Sequence, residues 1–269
     1  MVFLVSPLTW FCYKGVQRME NSTDKKMTGG EAIVKSLINE GVETIFGLPG
    51  IQLDPMFNAL HDSSNEIRVV NARHEQGVAY MAFGYAQSTG KPGVYAVVPG
   101  PGILNTTAAL STAYACNSRV LAITGQIPSS YIGRELGMLH EIPNQLSILE
   151  GLTKFAKRIN YPSDAPAIVS EAFKNMRSGR PRPTAIEMPM DIMQHKSEVT
   201  LRKFTDGYSP PAADPDLIKE AALILGAAKN PVIFVGTGAY EAGKEVTILA
   251  EMLQAPVISY QNGRGVVDE

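Results

Sequence analysis

From residue 28 onward the apolar positions recur in two alternating rhythms. Ile33, Val34, Leu37 and Ile38 follow the period of one helix face. Thr28-Gly-Gly-Glu31, just ahead of them, has the spacing of a capping box, and Gly41 stands where a helix-ending glycine would. Short apolar runs then occupy 43–46, 67–70, 94–98, 119–124, 155–159 and 184–188. They read as continuous rather than alternating runs, as strands do when both faces are buried. Strand and helix alternate at βαβ spacing, which predicts an α/β fold: a mostly parallel sheet with helices on both faces.

That rhythm breaks after Asp191. Residues 194–213 are polar and end in Ser209-Pro-Pro-Ala-Ala-Asp214, which reads as a linker. Asp214 and Pro215 make an N-cap and N1 pair for a helix running to about 228. A strand at 232–235, the turn Gly236-Thr-Gly238, a further helix to about 254 and a strand at 257–259 complete one βαβ unit. Two parallel strands are too few to bury their faces, so this second α/β domain is expected to be incomplete. The first 26 residues do not share the pattern: 1–13 are apolar and aromatic but too short to span a bilayer, and 20–26 turn polar. No basic start precedes the apolar run and no small-residue cleavage site follows it, unlike a signal peptide. The expected organisation is a disordered leader or extension at 1–26, a first α/β domain at 27–192, a linker at 193–213 and the start of a second domain at 214–269.

Composition narrows the classes modestly. Hydrophobic residues make up 45% and charged residues 19%, in the range of a globular protein. A net charge of −2 gives no electrostatic reason to invoke nucleic acid or an anionic membrane. Cys12 and Cys116 are too few and too far apart for a disulfide framework or a zinc site, and Cys116 reads as a small buried hydrophobe at a helix end. No metal site is expected within the chain. A cytoplasmic location is the default, with a cleaved organellar presequence as the weaker alternative.

Candidate chemistry concentrates at Asn71-Ala-Arg-His-Glu-Gln-Gly77. The segment runs off an apolar strand into a helix of small residues, Gly77, Ala79, Ala82, Gly84 and Ala86. Small residues let a backbone approach its neighbours, which puts Glu75 at or near an interior, where a carboxylate needs a partner or a task. A first-turn glutamate complementing the helix dipole at the surface is the competing reading. His74 beside it could tune Glu75 or simply be hydrogen-bonded. Gly100-Pro-Gly102 follows a strand and opens a helix, as a pyrophosphate loop does, but Asn105 stands where the third Rossmann glycine belongs. No acidic residue ends the next strand to hold a ribose, which argues against NAD. A tight turn without ligand remains open, as it does for Gly236-Thr-Gly238.

Taken in order, Gly41-Val-Glu-Thr-Ile-Phe-Gly-Leu-Pro-Gly50, Ala72-Arg-His-Glu-Gln-Gly77, Gly84-Tyr-Ala86 with Thr89-Gly-Lys-Pro-Gly93, Gly100-Pro-Gly102 with Asn105, and Ile123-Thr-Gly-Gln126 resemble one family. It is the N-terminal pyrimidine-binding domain of thiamin-diphosphate enzymes, most closely the acetolactate synthase large subunit, and the likeness covers roughly 27–269. The resemblance implies that Glu75 hydrogen-bonds N1′ of the cofactor's aminopyrimidine, favouring the imino tautomer that removes the thiazolium C2 proton. It implies that Gly100-Pro101-Gly102 lies along the pyrimidine with Asn105 holding that loop, and that Pro49 and Gly50 close over the thiazolium side. Gln126 would face substrate and cofactor, although a loop amide capping a turn reads equally well. His140, in the loop Gly137-Met-Leu-His-Glu-Ile-Pro143, would lie near a 2-oxo acid substrate.

Two positions depart from the acetolactate synthase pattern. Ile51 stands where a second glycine is usual, and Leu139-His140-Glu141 replaces Phe-Gln-Glu. Both implied positions adjoin the substrate, so a 2-oxo acid other than pyruvate is left open. The sequence also holds no Gly-Asp-Gly followed some thirty residues later by Asn-Asn, the family's Mg²⁺ and diphosphate motif. Mg²⁺ and diphosphate would then be held by another domain, from a second subunit of the same kind or a different chain, and this chain alone would bind the cofactor poorly. FAD, which the central domain carries in acetolactate synthases, is left without support. A split enzyme and a non-catalytic module with the same fold and dimer surface stand as alternatives to the N-terminal part of a decarboxylase or carboligase.

Overall fold

The computed structural model describes residues 24–201 and 211–267. Most of the leader segment, 1–23, and the middle of the linker, 202–210, lie outside the described residues.

A first strand, β1 (Asp24–Thr28), leads into α1 (Gly29–Asn39). The capping box is complete: Thr28 Oγ1 accepts the Glu31 N–H at 3.1 Å, and Glu31 Oε2 accepts the Thr28 N–H at 2.6 Å. Gly41, at φ +82°, closes the helix, with its N–H on the Ile38 carbonyl and that of Val42 on the Leu37 carbonyl. The chain continues through β2 (Thr44–Gly47), α2 (Asp54–Asp62), β3 (Arg68–Asn71), α3 (Glu75–Thr89) and β4 (Gly93–Val97). It runs on through the short α4 (Pro101–Leu104), α5 (Thr107–Ala115), β5 (Val120–Gln126), α6 (Gln145–Leu152) and β6 (Phe155–Arg158). Then come α7 (Ala165–Arg177), β7 (Thr184–Pro189), α8 (Met190–Gln194) and β8 (Lys196–Thr200).

Six of these strands form one parallel sheet in the order β3-β2-β4-β5-β7-β6. β4 and β7 are buried along their whole length, which is why they carry no polar alternation. Helices α1, α2 and α7 cover one face around Ile33, Leu37, Leu60 and Phe173. Helices α3, α5 and α6 cover the other around Ala79, Ala82, Leu110 and Leu149. On that second face the close backbone approach is made at Gly93, where a Cβ would stand 2.0 Å from the Ala82 carbonyl oxygen. Gly84, by contrast, faces open space and Gly77 meets only Ala72. The small residues of α3 thus divide into a buried alanine stripe and an outward glycine pair.

The ends of the first unit differ from the sequence expectation. Asp24 to Thr28 pair antiparallel with Lys196 to Thr200, so the leader segment and the linker segment each give residues to a two-stranded ribbon. Each strand is short and mixed in polarity, and only the pairing, across 168 to 176 positions of sequence, reveals it. The notional linker therefore starts no earlier than Leu201.

After the undescribed stretch, Asp214 caps α9 (Pro215–Ala227), its carboxylate accepting the Asp216 N–H at 2.9 Å. Strand β9 (Ile233–Val235), α10 (Gly243–Leu253) and β10 (Val257–Ser259) form a parallel pair of strands. This small sheet leaves Phe234 and Ile258 exposed, and α9 exposes Leu217, Ile218, Leu223 and Ile224. Two strands cannot bury a helix pair, as their number implies.

Candidate functional site

The sheet has a switch point at β2, with β3 on one side and β4 on the other. Ligands of open parallel sheets sit outside the carboxyl ends of the strands at such a point. Here those ends release, in turn, Pro49-Gly50 after β2, Glu75 after β3 and Gly100-Pro101-Gly102 with Asn105 after β4.

Glu75 opens α3 and is half-buried rather than interior. His74 is the N-cap, its Nδ1 accepting the Gln76 N–H at 3.1 Å, so it serves the helix end and does not touch the carboxylate by any described bond. The described partner of Glu75 is Asn105, whose Nδ2 donates to Oε2 at 3.0 Å. Oε1 faces Gly102: a methyl group there would stand 3.7 Å from it and 2.5 Å from Val98 Cγ2. Gly50 meets the other methyl of the same valine, with 2.4 Å to Val98 Cγ1 from a notional Cβ. Val98 is thus the floor on which both glycine turns rest. Pro49 and Pro101 are exposed beside them.

The turn is anchored at both ends. Fully buried Tyr95 of β4 donates to Thr106 Oγ1 at 2.8 Å, and Thr106 donates to the Ile103 carbonyl. Burial holds the Tyr95 phenol well above the usual tyrosine range, with the Thr106 bond opposing. At the other end Gly100 has φ +60° and ψ −121°, a backbone state open to glycine, and a Cβ there would lie 2.4 Å from the His140 carbonyl oxygen. Its N–H donates to Gln145 Oε1 at 2.8 Å.

His140 lies under this turn at φ +68°, half-buried, with Nδ1 2.6 Å from Gln52 Nε2. Gln52 is itself buried, and its Oε1 has no hydrogen-bond partner among the described residues. Gln126 lies apart from Glu75. It is buried at the end of β5, its Oε1 accepting the Ile127 N–H at 2.8 Å and its Nε2 pointing 3.5 Å from Glu187 Oε2. The structure therefore brings Glu75, Gly102 and Asn105 together over Val98, sets Gly50 against the same valine, packs His140 under Gly100, and turns Gln126 inward.

Sequence reading missed Gln52, Gln145, Arg158 and Glu187. Glu187 carried a signal, a lone carboxylate inside the apolar run Ala185-Ile-Glu-Met188. Gln145 carried none, because its partners lie 20, 42 and 45 residues away. Cys116 is corrected from buried to half-buried at the end of α5. The Gly236-Thr-Gly238 turn borders a separate cleft of about 800 Å³, walled also by Arg119, Arg180 and Tyr240.

An aminopyrimidine edge fits the Glu75 cradle: a flat ring needs the missing Cβ of Gly102, and a protonated ring nitrogen needs the oxygen that Asn105 leaves open. Among the described residues no three His, Cys, Asp or Glu side chains converge. No helix among the described residues is long and apolar enough to cross a membrane.

Residues 27–148 match the family described as thiamine pyrophosphate enzyme, N-terminal TPP binding domain, and residues 218–269 match its central domain. An acetolactate synthase of Arthrospira platensis is 37% identical over 256 residues, covering 91% of this chain and 43% of its own length. A probable 2-ketoarginine decarboxylase of Pseudomonas aeruginosa is 35% identical over 247 residues, covering 90% and 43% respectively. The large subunit of acetolactate synthase isozyme 1 of Escherichia coli is 35% identical over 236 residues, covering 87% and 41%. The chain spans about two-fifths of the length of these curated relatives. With the parallel sheet, the switch-point cradle and these matches in agreement, the chain belongs to the thiamin-diphosphate-dependent enzymes, among those like the acetolactate synthase large subunit.

Proposed function

We propose that this chain supplies the pyrimidine half of a thiamin-diphosphate site in a decarboxylase or carboligase acting on a 2-oxo acid. The observation that carries the reading is the Glu75 carboxylate, with Oε2 engaged by Asn105 and Oε1 turned to the side-chain-free face of Gly102. Bound there, the cofactor supplies a nucleophilic carbon and an electron sink for cleavage next to a carbonyl. Glu75 Oε1 accepts a hydrogen bond from the ring nitrogen N1′ and holds a proton on it. Asn105 keeps the carboxylate from rotating, and Gly102 lets the ring lie against the turn. Pro49 and Gly50, resting on Val98, bound the thiazolium side.

Residues 27–192 form the pyrimidine-binding unit in this reading and 214–269 begin the central one. Diphosphate and Mg²⁺ fall, in this reading, to a domain carrying the family's Gly-Asp-Gly…Asn-Asn motif, which this sequence does not hold. Ile51 is 60% exposed and Leu139 73% exposed. With His140 fixed by Gln52, these departures from the acetolactate synthase pattern leave a 2-oxo acid other than pyruvate open.

Calorimetric titration of the purified, folded chain with thiamin diphosphate and Mg²⁺ tests the half-site. Little heat alone, with binding appearing once a chain bearing Gly-Asp-Gly…Asn-Asn is added, is the expected result. A 1:1 endpoint from this chain alone would overturn it.

A further inference from the structure

Glu187 is a fully buried charge, at 0% exposure on β7, between β5 and the edge strand β6. Its carboxylate gathers three donors. Arg158 Nε on β6 lies 2.6 Å from Oε1, Gln145 Nε2 at the start of α6 lies 2.7 Å from Oε2, and Gln126 Nε2 lies 3.5 Å from Oε2. A buried ion pair is weak support for stability in itself, since desolvation offsets the attraction. Its geometry points to a different role.

A glutamine amide looks alike from both ends, and only its neighbours decide which way it points. An ionised carboxylate can only accept, so Glu187 compels Gln145 to turn its NH₂ inward. The second hydrogen of that NH₂ donates to the Gly125 carbonyl at 3.0 Å. Oε1 is thereby left facing outward, 2.8 Å from the Gly100 N–H. Both donors and one acceptor position of a side chain only 1% exposed are used, and none is free to rearrange. Gly100 is also where the chain takes its glycine-only conformation before Gly102 and Asn105.

We propose that Glu187 and Gln145 are positioning residues for the cofactor cradle. The carboxylate, paired with Arg158, fixes the polarity of the Gln145 amide, and that amide fixes the Gly100 N–H. The conformation of the Gly100 turn in turn sets where Asn105 meets Glu75. The role ascribed to the turn rests on the cofactor reading above, but the relay itself is a property of the chain without cofactor. It acts across three strands, from β6 and β7 through α6 to the end of β4.

The test is amide exchange and chemical shift on the ¹⁵N-labelled chain, without cofactor. Gln145→Met keeps the length and apolar bulk of the side chain and removes both the acceptor and the donors. Glu187→Gln keeps shape and volume and lets the Gln145 amide turn either way. In both variants the Gly100 amide proton is expected to exchange at least tenfold faster and to move in the spectrum. The Asn105 side-chain NH₂ pair, identified by its loss in Asn105→Asp, is expected to shift with it, while the amides of 94–97 keep their protection. A purely space-filling role would leave the Asn105 pair in place. Should Gln145→Met fail to fold, the isosteric Glu187→Gln decides by the same two signals. Unchanged Gly100 exchange and Asn105 shifts in a folded variant would overturn the proposal. Because no cofactor is present, that outcome would leave the assignment of Glu75 unaffected.

Discussion

Asn105 donates its side-chain amide to Glu75 Oε2 at 3.0 Å, joining the turn after β4 to the first turn of the helix after β3. The pair spans the switch point of the sheet, and it engages Oε2 of the carboxylate. Both residues are only partly covered within the chain, so their bond contributes to position far more than to stability. Asn105→Leu is expected to change the free energy of unfolding by less than about 0.5 kcal/mol. In an assembly that binds thiamin diphosphate, it should slow turnover roughly tenfold, the worth of one hydrogen bond to a charged group. Urea denaturation and steady-state kinetics check the two halves.

The two glycines of the turn fail for different reasons. In Gly102→Ala the new methyl meets Val98 Cγ2 at 2.5 Å, an overpacking contact worth about 1–3 kcal/mol if Val98 cannot shift. In Gly100→Ala the methyl meets the His140 backbone and the residue must also hold a positive φ, so backbone strain of about 1–2 kcal/mol is added. Gly100→Ala is therefore the more destabilising of the two by denaturant midpoint. Gly102→Ala is the one expected to weaken cofactor binding out of proportion to its stability loss.

Tyr95 predicts a specific alkaline weakness. In the unfolded chain a tyrosine ionises near about 10, whereas burial keeps the Tyr95 phenol protonated to higher pH. Below about 10 both states hold the proton and pH has no effect through this group. Above it the unfolded chain releases the proton and the folded one does not, so stability falls as pH rises. Tyr95→Phe should lose a little stability at pH 7, where the bond to Thr106 is removed, and fall less steeply above pH ~10. Thermal melts from pH 7 to 11 measure both.

Thr28→Ala removes one half of the capping box and leaves the Glu31 N–H without its acceptor. A loss of about 1 kcal/mol is expected, read by chemical denaturation, with Glu31→Ala costing a comparable amount through the Thr28 N–H.

The parallel sheet and its helices could be read from residues 28 to 189 because local rules agree there. The capping box, the Gly41 stop and the continuous apolar runs each point to the element found. Glu75, Gly102 and Asn105 each follow a strand end, and the structure brings them within reach of one another. What escaped was set by distant partners. The β1–β8 ribbon depends on pairing Asp24 with Thr200, and Gln145 depends on Gly100, Gly125 and Glu187. Glu75 was expected near an interior, but its helix turns alanines inward and Gly77 and Gly84 outward, so the carboxylate is left half-exposed. Small residues in sequence do not say which of them meets a neighbour.

Proton exchange at the thiazolium C2 measures most directly the role proposed for Glu75, activation of the cofactor through its ring nitrogen. The comparison is between wild type and Glu75→Gln in a reconstituted assembly saturated with thiamin diphosphate and Mg²⁺, by quenched deuterium exchange and NMR. Exchange slower by a factor on the order of 10² or more is expected in Glu75→Gln, in the range for losing a positioned acid–base group. Folding should be unchanged. Equal exchange rates in the two proteins, with the cofactor bound in both, would contradict it.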